Sequence, residues 1–309
     1  MGLLRQALLN ASQSQWLANQ ASRRKFARQA VLRFMPGEQV EAAMAAAKKL
    51  GSQGVTTVLT QLGEDIGDRG EAEGVTAHYL EVLKDIQARS LRSHVSVKLT
   101  QLGLDMDQAF CVDQVERIVT SAEELGNAVW IDVESSSSVD ATLDTYRAVQ
   151  AKHANVGLCL QAYLHRTPVD LESLIEIGAR IRLVKGAYRE PASVALPKKA
   201  DVDSRYLELA KRLLKEDARS GGIAHGMATH DLHLIAQIKH HARAHGIPNE
   251  AYEFQMLFGI RTATQLQLAG EGHKMRTLIS YGSAWFPWYM RRLAERPANL
   301  WFVVKSMFS

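Results

Sequence analysis

Residues 128–161 read AVWIDVESSSSVDATLDTYRAVQAKHANVGLCLQ, and this stretch decides the fold. Two short β-branched runs, Ala128 to Val133 and Val156 to Gln161, bracket a segment with helical spacing of apolar residues, Val139 to Lys152. Between them, Ser135 to Ser138 reads as a polar loop that supplies a helix N-cap. Strand, helix and strand in this order make a crossover unit of a parallel sheet.

The same alternation continues in both directions. Upstream lie the strands Val55 to Thr60 and His94 to Leu99. Downstream lie Arg180 to Lys185, Gly222 to Thr229, Tyr252 to Met256 and Met275 to Tyr281. Ala109 to Leu125, Asp203 to Arg219 and Asp231 to His245 carry the clearest helical spacing of the remaining connections. Eight strands, each followed by a helix and spaced by about 24 to 42 residues, form the pattern of a (β/α)8 barrel. The competing arrangement is an open doubly wound sheet. Before Gly54 the chain reads as helices: Glu41 to Leu50 is Ala-rich, Gly51 is a plausible stop, and Pro36-Gly37 separates it from an amphipathic segment, Trp16 to Phe34. The expected organisation is an N-terminal helical extension over 1–53 and a barrel catalytic domain over 54–309.

The 309 residues suit one barrel domain, and 46% hydrophobic with 23% charged residues excludes disorder, collagen and coiled coil as the main architecture. Cys111 and Cys159 cannot make a disulfide framework, and their apolar surroundings suit a reduced cytosolic compartment. A net charge of +4 permits an anionic partner or membrane surface without demanding one. No apolar run is long enough to span a bilayer, and the start lacks the basic region and long apolar core of a signal peptide.

A barrel carries its working residues at the C-terminal strand ends. That rule gathers Glu64, Lys98, Asp132, Glu134, Gln161, Arg182, Lys185, Tyr188, Thr229 and His230 into one mouth of cations, carboxylates and amides, suited to a small charged substrate and a polar cofactor. Asp231 is a good N-cap, which sets Thr229 and His230 at a helix N-terminus, where anions are favoured. Arg291 and Arg292 lie about 100° apart on a helix, so both can reach one anion, or simply form a solvated basic face. Trp285, Trp288 and Tyr289 before them read better as packing than as a pocket wall. His233, His241 and His245 read as exposed helix histidines; no HExxH is present and no metal site is expected. Rossmann, P-loop and GxSxG signatures are absent.

At this point seven ordered segments resemble the proline dehydrogenase family, flavin-dependent (β/α)8 enzymes. They are Val97-Lys-Leu-Thr-Gln-Leu-Gly103, Ile131-Asp-Val-Glu134, Leu160-Gln-Ala-Tyr163, Arg182-Leu-Val-Lys-Gly-Ala-Tyr188, Ala228-Thr-His-Asp231, Glu253-Phe-Gln-Met-Leu-Phe-Gly259 and Tyr289-Met-Arg-Arg-Leu-Ala-Glu295. The resemblance, to the monofunctional bacterial form, implies oxidation of L-proline to 1-pyrroline-5-carboxylate with hydride transfer to FAD. It also implies a quinone acceptor, and so a cytoplasmic enzyme with peripheral contact to the inner face of the plasma membrane, and no nucleic-acid partner. It assigns catalysis to Asp132 and Arg182, and substrate binding to Lys98, Tyr188, Arg291 and Arg292. Flavin contacts fall to Val133, Gln161, Lys185, Gly186, Ala187, Thr229 and His230, and a gating carboxylate to Glu64.

One departure stands out. The family usually reads Tyr-x-Pro-Tyr-Gly at strand eight, and here Leu278-Ile-Ser-Tyr-Gly282 stands instead. Loss of that first tyrosine points to altered ring specificity, such as a substituted proline like hydroxyproline or another cyclic amino acid, and leaves Asp132 one partner short unless water replaces it. A non-catalytic ligand-binding barrel and a phosphate-handling barrel are the remaining alternatives.

Overall fold

The computed structural model describes residues 31–63, 66–286 and 289. Eight parallel strands close on themselves in sequence order. They are β1 (Thr56–Gln61), β2 (Ser93–Lys98), β3 (Val129–Asp132), β4 (Val156–Gln161), β5 (Arg180–Val184), β6 (His225–Ala228), β7 (Tyr252–Leu257) and β8 (Lys274–Tyr281). Helix α1 (Val40–Gly51) precedes the barrel. Between successive strands run α2 (Arg69–Ala88), α3 (Gln108–Glu124), α4 (Val139–Gln150), α5 (Thr167–Glu176), α6 (Lys199–Leu213), α7 (Leu232–Ala244) and α8 (Thr262–Gly270). The barrel is thus the one expected, and the open sheet is excluded by the β1–β8 pairing, which runs from Thr56↔Arg276 to Gln61↔Tyr281.

Strand residues alternate between two environments, as the pleat requires. One set, including Val95, Val97, Ile131, Leu158, Leu183, Phe254, Met256 and Ile279, joins the helices in a continuous buried apolar core. This burial is the main driving force for the fold. The Ala43, Met44, Ala47 and Leu50 face of α1 belongs to the same core, so the described part of the N-terminal segment packs on the barrel. The other set faces the barrel interior and is unusually polar: His94, Ser96, Asp132, Arg182, Glu253, Gln255 and Arg276 all meet there, as their hydrogen bonds show.

Three sequence readings are corrected. The helix expected over Asp203 to Arg219 starts at Lys199 and ends at Leu213, and the chain then makes a short 3-10 segment, Asp217–Gly222. The strand expected from Gly222 starts only at His225, because Gly221 and Gly222 turn the chain with φ of 66° and 77°. Ser138 precedes α4 without capping it by its side chain. The serine run folds into a 3-10 turn instead, and Glu190 takes the Ser136 amide at 2.7 Å and its hydroxyl at 2.5 Å. The Asp231 cap of α7 is as expected, with its carboxylate accepting from the His233 amide at 3.1 Å.

Candidate active site

Lys98 and Asp132 end β2 and β3 and stand opposite one another in the register. Gln161 ends β4, Lys185 to Tyr188 follow β5, and Thr229 and His230 follow β6. The described residues predicted for the site therefore share the C-terminal end of the barrel. Glu64, Arg291 and Arg292 lie outside the described residues.

Arg182 is the centre of the arrangement. It sits one layer inside the barrel, with its side chain 3% exposed. Nη1 donates to Asp132 Oδ1 at 2.7 Å and to Ser96 Oγ at 3.0 Å, and Nε donates to Gln255 Oε1 at 2.7 Å. The guanidinium carbon lies 4.6 Å from the Trp130 ring centroid, a cation–π contact. Nη2 is buried and has no hydrogen-bond partner among the described residues. A buried donor left bare is costly and calls for a partner. Asp132 Oδ1 also accepts from Ser96 Oγ at 3.0 Å, so the lost strand-eight tyrosine does not leave this carboxylate without protein donors.

Gln161 is also buried, opposite Val184 in the register, two residues beyond Arg182 along β5. Its amide nitrogen donates to the carbonyl of Glu134 at 3.1 Å, while its Oε1 has no partner among the described residues. Glu134 is itself buried and accepts from the Thr100 amide at 3.2 Å and hydroxyl at 3.0 Å. Burial and the surrounding arginines, Arg276, Arg180 and Arg182, hold His94 well below its ordinary pKa. The neutral ring fits its contact, since Nδ1 accepts from the Trp130 indole at 3.2 Å.

Behind β5, Lys185 Nζ bonds Asp203 at 2.5 Å and Asp231 at 2.9 Å, and Lys199 bridges the same two carboxylates. Burial opposes ionisation of Asp231, but its bond to Lys185 prevails and takes it down to about 2. Of the three N–H bonds of Lys185, two are thus engaged within the protein. Gly186 follows with φ +109°, and a Cβ there would fall 2.1 Å from Cδ1 of Tyr163. Only glycine lets the chain lie flat on that ring. Thr229 Oγ1 accepts from the Asp231 amide at 3.2 Å, and His230 Nε2 accepts from the Leu257 amide at 2.9 Å.

Trp285 and Tyr289 are both buried, with Tyr289 6.1 Å from Phe34 and Trp285 bonded to Glu38, while Trp288, read with them, lies outside the described residues. His241 of α7 and His245 at its C-terminal cap lie with ring centroids 4.1 Å apart. Among the described residues no group of three His, Cys, Asp or Glu side chains is placed to hold a metal.

The sequence reading assigned no role to Ser96, Trp130, Glu253, Gln255 or Arg276. The signal was available: polar residues at alternate positions of otherwise apolar strands, as in Glu253-Phe-Gln255, mark an interior-facing row.

A closed (β/α)8 barrel with a buried arginine paired to a half-buried aspartate under its C-terminal mouth defines the chain as a barrel enzyme of the class that works at the strand ends. The comparisons give the family. The model described as proline dehydrogenase matches residues 43–305, and the chain belongs to the proline dehydrogenase family. It is 37% identical to proline dehydrogenase 2 of Bacillus subtilis subsp. natto over 99% of both chains. It is also 37% identical to the proline dehydrogenase of Deinococcus radiodurans over 89% of both. Among solved structures it resembles proline utilization A (PutA) from Bdellovibrio bacteriovorus, inactivated by N-propargylglycine. The TM-score there is 0.81 at 25% identity, over 87% of this chain and 33% of that one.

Proposed function

We infer that this chain oxidises L-proline to 1-pyrroline-5-carboxylate, with FAD as the hydride acceptor and a quinone as the onward electron acceptor. The observation that carries the reading is Arg182, paired with Asp132 and with Nη2 buried and bare beneath the mouth of a barrel that matches the family over residues 43–305. The residues suit a flavin. Gln161 Oε1 and Arg182 Nη2 are a buried acceptor and a buried donor awaiting partners, which is what the alternating polar edge of a flavin ring requires. Gly186 keeps the loop close to Tyr163, and Thr229 with His230 opens the N-terminus of α7, where a phosphate is favoured. Val133 and Ala187 complete this wall.

When bound, FAD supplies the two-electron acceptor for the hydride that leaves the substrate carbon beside the ring nitrogen. The chain's part is to hold the substrate for that transfer. Lys98, Arg291 and Arg292 offer three positive groups to one carboxylate, and fixing that carboxylate orients the ring. Tyr188 would line the ring, and the family resemblance gives Glu64 and Arg291 the role of a gate. Arg182 stabilises negative charge that grows on the acceptor, in a buried setting where such a charge counts for more. In this reading residues 54–309 are the catalytic unit and residues 1–53 an N-terminal extension, of which the described Ala43, Met44, Ala47 and Leu50 pack on the barrel. Among the described residues no helix is long and apolar enough to cross a membrane; peripheral contact with a quinone pool at the inner face of the plasma membrane belongs to this same reading.

The test is anaerobic bleaching of bound flavin by a panel of cyclic amino acids. Proline should bleach it, and failure of every member would refute the dehydrogenase reading. A second reading, preference for a substituted proline, draws on β8. Leu278 and Ser280 alternate with Arg276 on the interior face, and Ser280 Oγ is fully buried with no partner among the described residues. An aliphatic side chain in place of a tyrosine and a spare hydroxyl nearby favour a ring that carries its own hydroxyl. Comparison of kcat/KM for proline and 4-hydroxyproline decides it; a proline preference as strong as that of tyrosine-bearing relatives sinks the idea.

A further inference from the structure

Beneath the mouth, a chain of hydrogen bonds runs through the barrel from the site to β8. Arg182 Nε donates to Gln255 Oε1 at 2.7 Å. The Gln255 amide nitrogen donates in turn to Glu253, whose carboxylate accepts from Arg276 Nε at 2.9 Å and Nη2 at 3.1 Å. Arg276 Nη1 is anchored on the Thr57 carbonyl at 3.0 Å. All four side chains are buried. Burial works against ionisation of Glu253, yet Arg276 prevails and holds its carboxyl below the usual range.

This order removes an ambiguity. An amide can face either way, but an ionised carboxylate accepts only, so Gln255 must turn its NH2 to Glu253 and its oxygen to Arg182. The reach is made possible by Gly226 on the intervening strand, opposite Arg182 on one side and Glu253 on the other. A Cβ at Gly226 would lie 2.4 Å from Gln255 Nε2, so the amide occupies the space a side chain would fill.

We propose that Gln255, oriented by the Glu253–Arg276 pair and passing through the gap at Gly226, is a positioning residue that sets the plane of the Arg182 guanidinium and so aims Nη2 at the cofactor. One anchor, Nη1 on Asp132 and Ser96, leaves a planar group free to swivel. The second anchor at Nε fixes the plane, and the Trp130 ring backs it. The proposal rests on the flavin reading given above.

Apoprotein is titrated with FAD, following tryptophan fluorescence, for the wild type, Arg182→Met, Gln255→Met and the double variant. Each single change should weaken FAD binding roughly 10- to 100-fold, the worth of one charge-assisted hydrogen bond. The double variant should bind no more weakly than Arg182→Met alone, because Gln255 acts only through Arg182. A merely structural glutamine would lower Tm and leave binding unchanged, or would add its loss to that of Arg182→Met; either result overturns the proposal. Gly226→Ala is the second variant should Gln255→Met not fold, since the three atoms nearest the added Cβ all belong to the Gln255 side chain, Nε2 at 2.4 Å, Cδ at 2.9 Å and Cγ at 3.4 Å, and none to the backbone. It should reproduce the loss of affinity and be equally silent in the Arg182→Met background. A wild-type apoprotein that takes up no FAD would remove the functional reading and this proposal with it. Normal FAD uptake with an unaffected Gln255→Met removes the proposal alone.

Discussion

Replacing Asp132 by alanine strands a cation inside the barrel. The Arg182 side chain is 3% exposed and its bond to Asp132 is 2.7 Å long, so the charge cannot retreat to water. Removing one partner of a buried pair costs roughly 3–5 kcal/mol, because the other charge stays desolvated and unpaired. Two features place this case at the lower end: Asp132 is 20% exposed, and Arg182 keeps the neutral acceptors Ser96 and Gln255. The expected loss is therefore about 3 kcal/mol, or about 5 °C in Tm for a chain of this size. Adding Arg182→Met to Asp132→Ala removes the stranded charge and fills its space with an apolar side chain. The double variant should then regain most of the loss. Thermal and urea unfolding of the apoproteins, followed by far-ultraviolet circular dichroism at pH 7, measure both quantities. A cost below about 1 kcal/mol for Asp132→Ala, or a double variant less stable than the single one, would refute the assignment of a buried, mutually dependent pair.

Two further outcomes follow from local geometry. Gly186→Ala should lower stability by more than about 1 kcal/mol through φ strain alone, and more through the Tyr163 clash; an unchanged Tm would contradict the close approach described. His225 is buried, which takes its pKa down to about 4; Nδ1 accepts from the Ile181 amide and Nε2 donates to the Ala218 carbonyl. Its folded pKa lies below the unfolded value near 6.5, so the unfolded chain binds the proton more readily between them. Stability should fall by up to about 3 kcal/mol as pH drops from 6.5 through 4. Denaturation midpoints against pH should show a steeper fall for the wild type than for His225→Asn, and equal slopes would count against the assignment.

The barrel was legible because its signal is periodic and redundant. Eight runs of β-branched and apolar residues, separated by helical spacing, survive errors at any one boundary. The β4 boundaries match the sequence reading to the residue, because every residue of Val156–Gln161 is buried and no competing signal intrudes. Errors fell where local chemistry overrode the period. Gly221-Gly222 delayed β6, and Glu190, 54 residues from Ser136, drew the serine run away from capping α4. The site residues at strand ends were legible from the architecture and the family motifs together. The network behind them was not, since none of its members is unusual by itself.

The sequence alone determined that parallel strands would alternate with helices and that Lys98, Asp132, Gln161 and Lys185 would stand at one end of them, because both follow from patterns a few residues long. Which of those groups meet was decided only by the tertiary structure. Arg182 and Gln255 are 73 residues apart and lie on strands separated by a third. They touch because the strands are staggered around a closed barrel and because Gly226 leaves room between them. Stagger and closure are properties of the whole sheet, so no single stretch of the chain carries them.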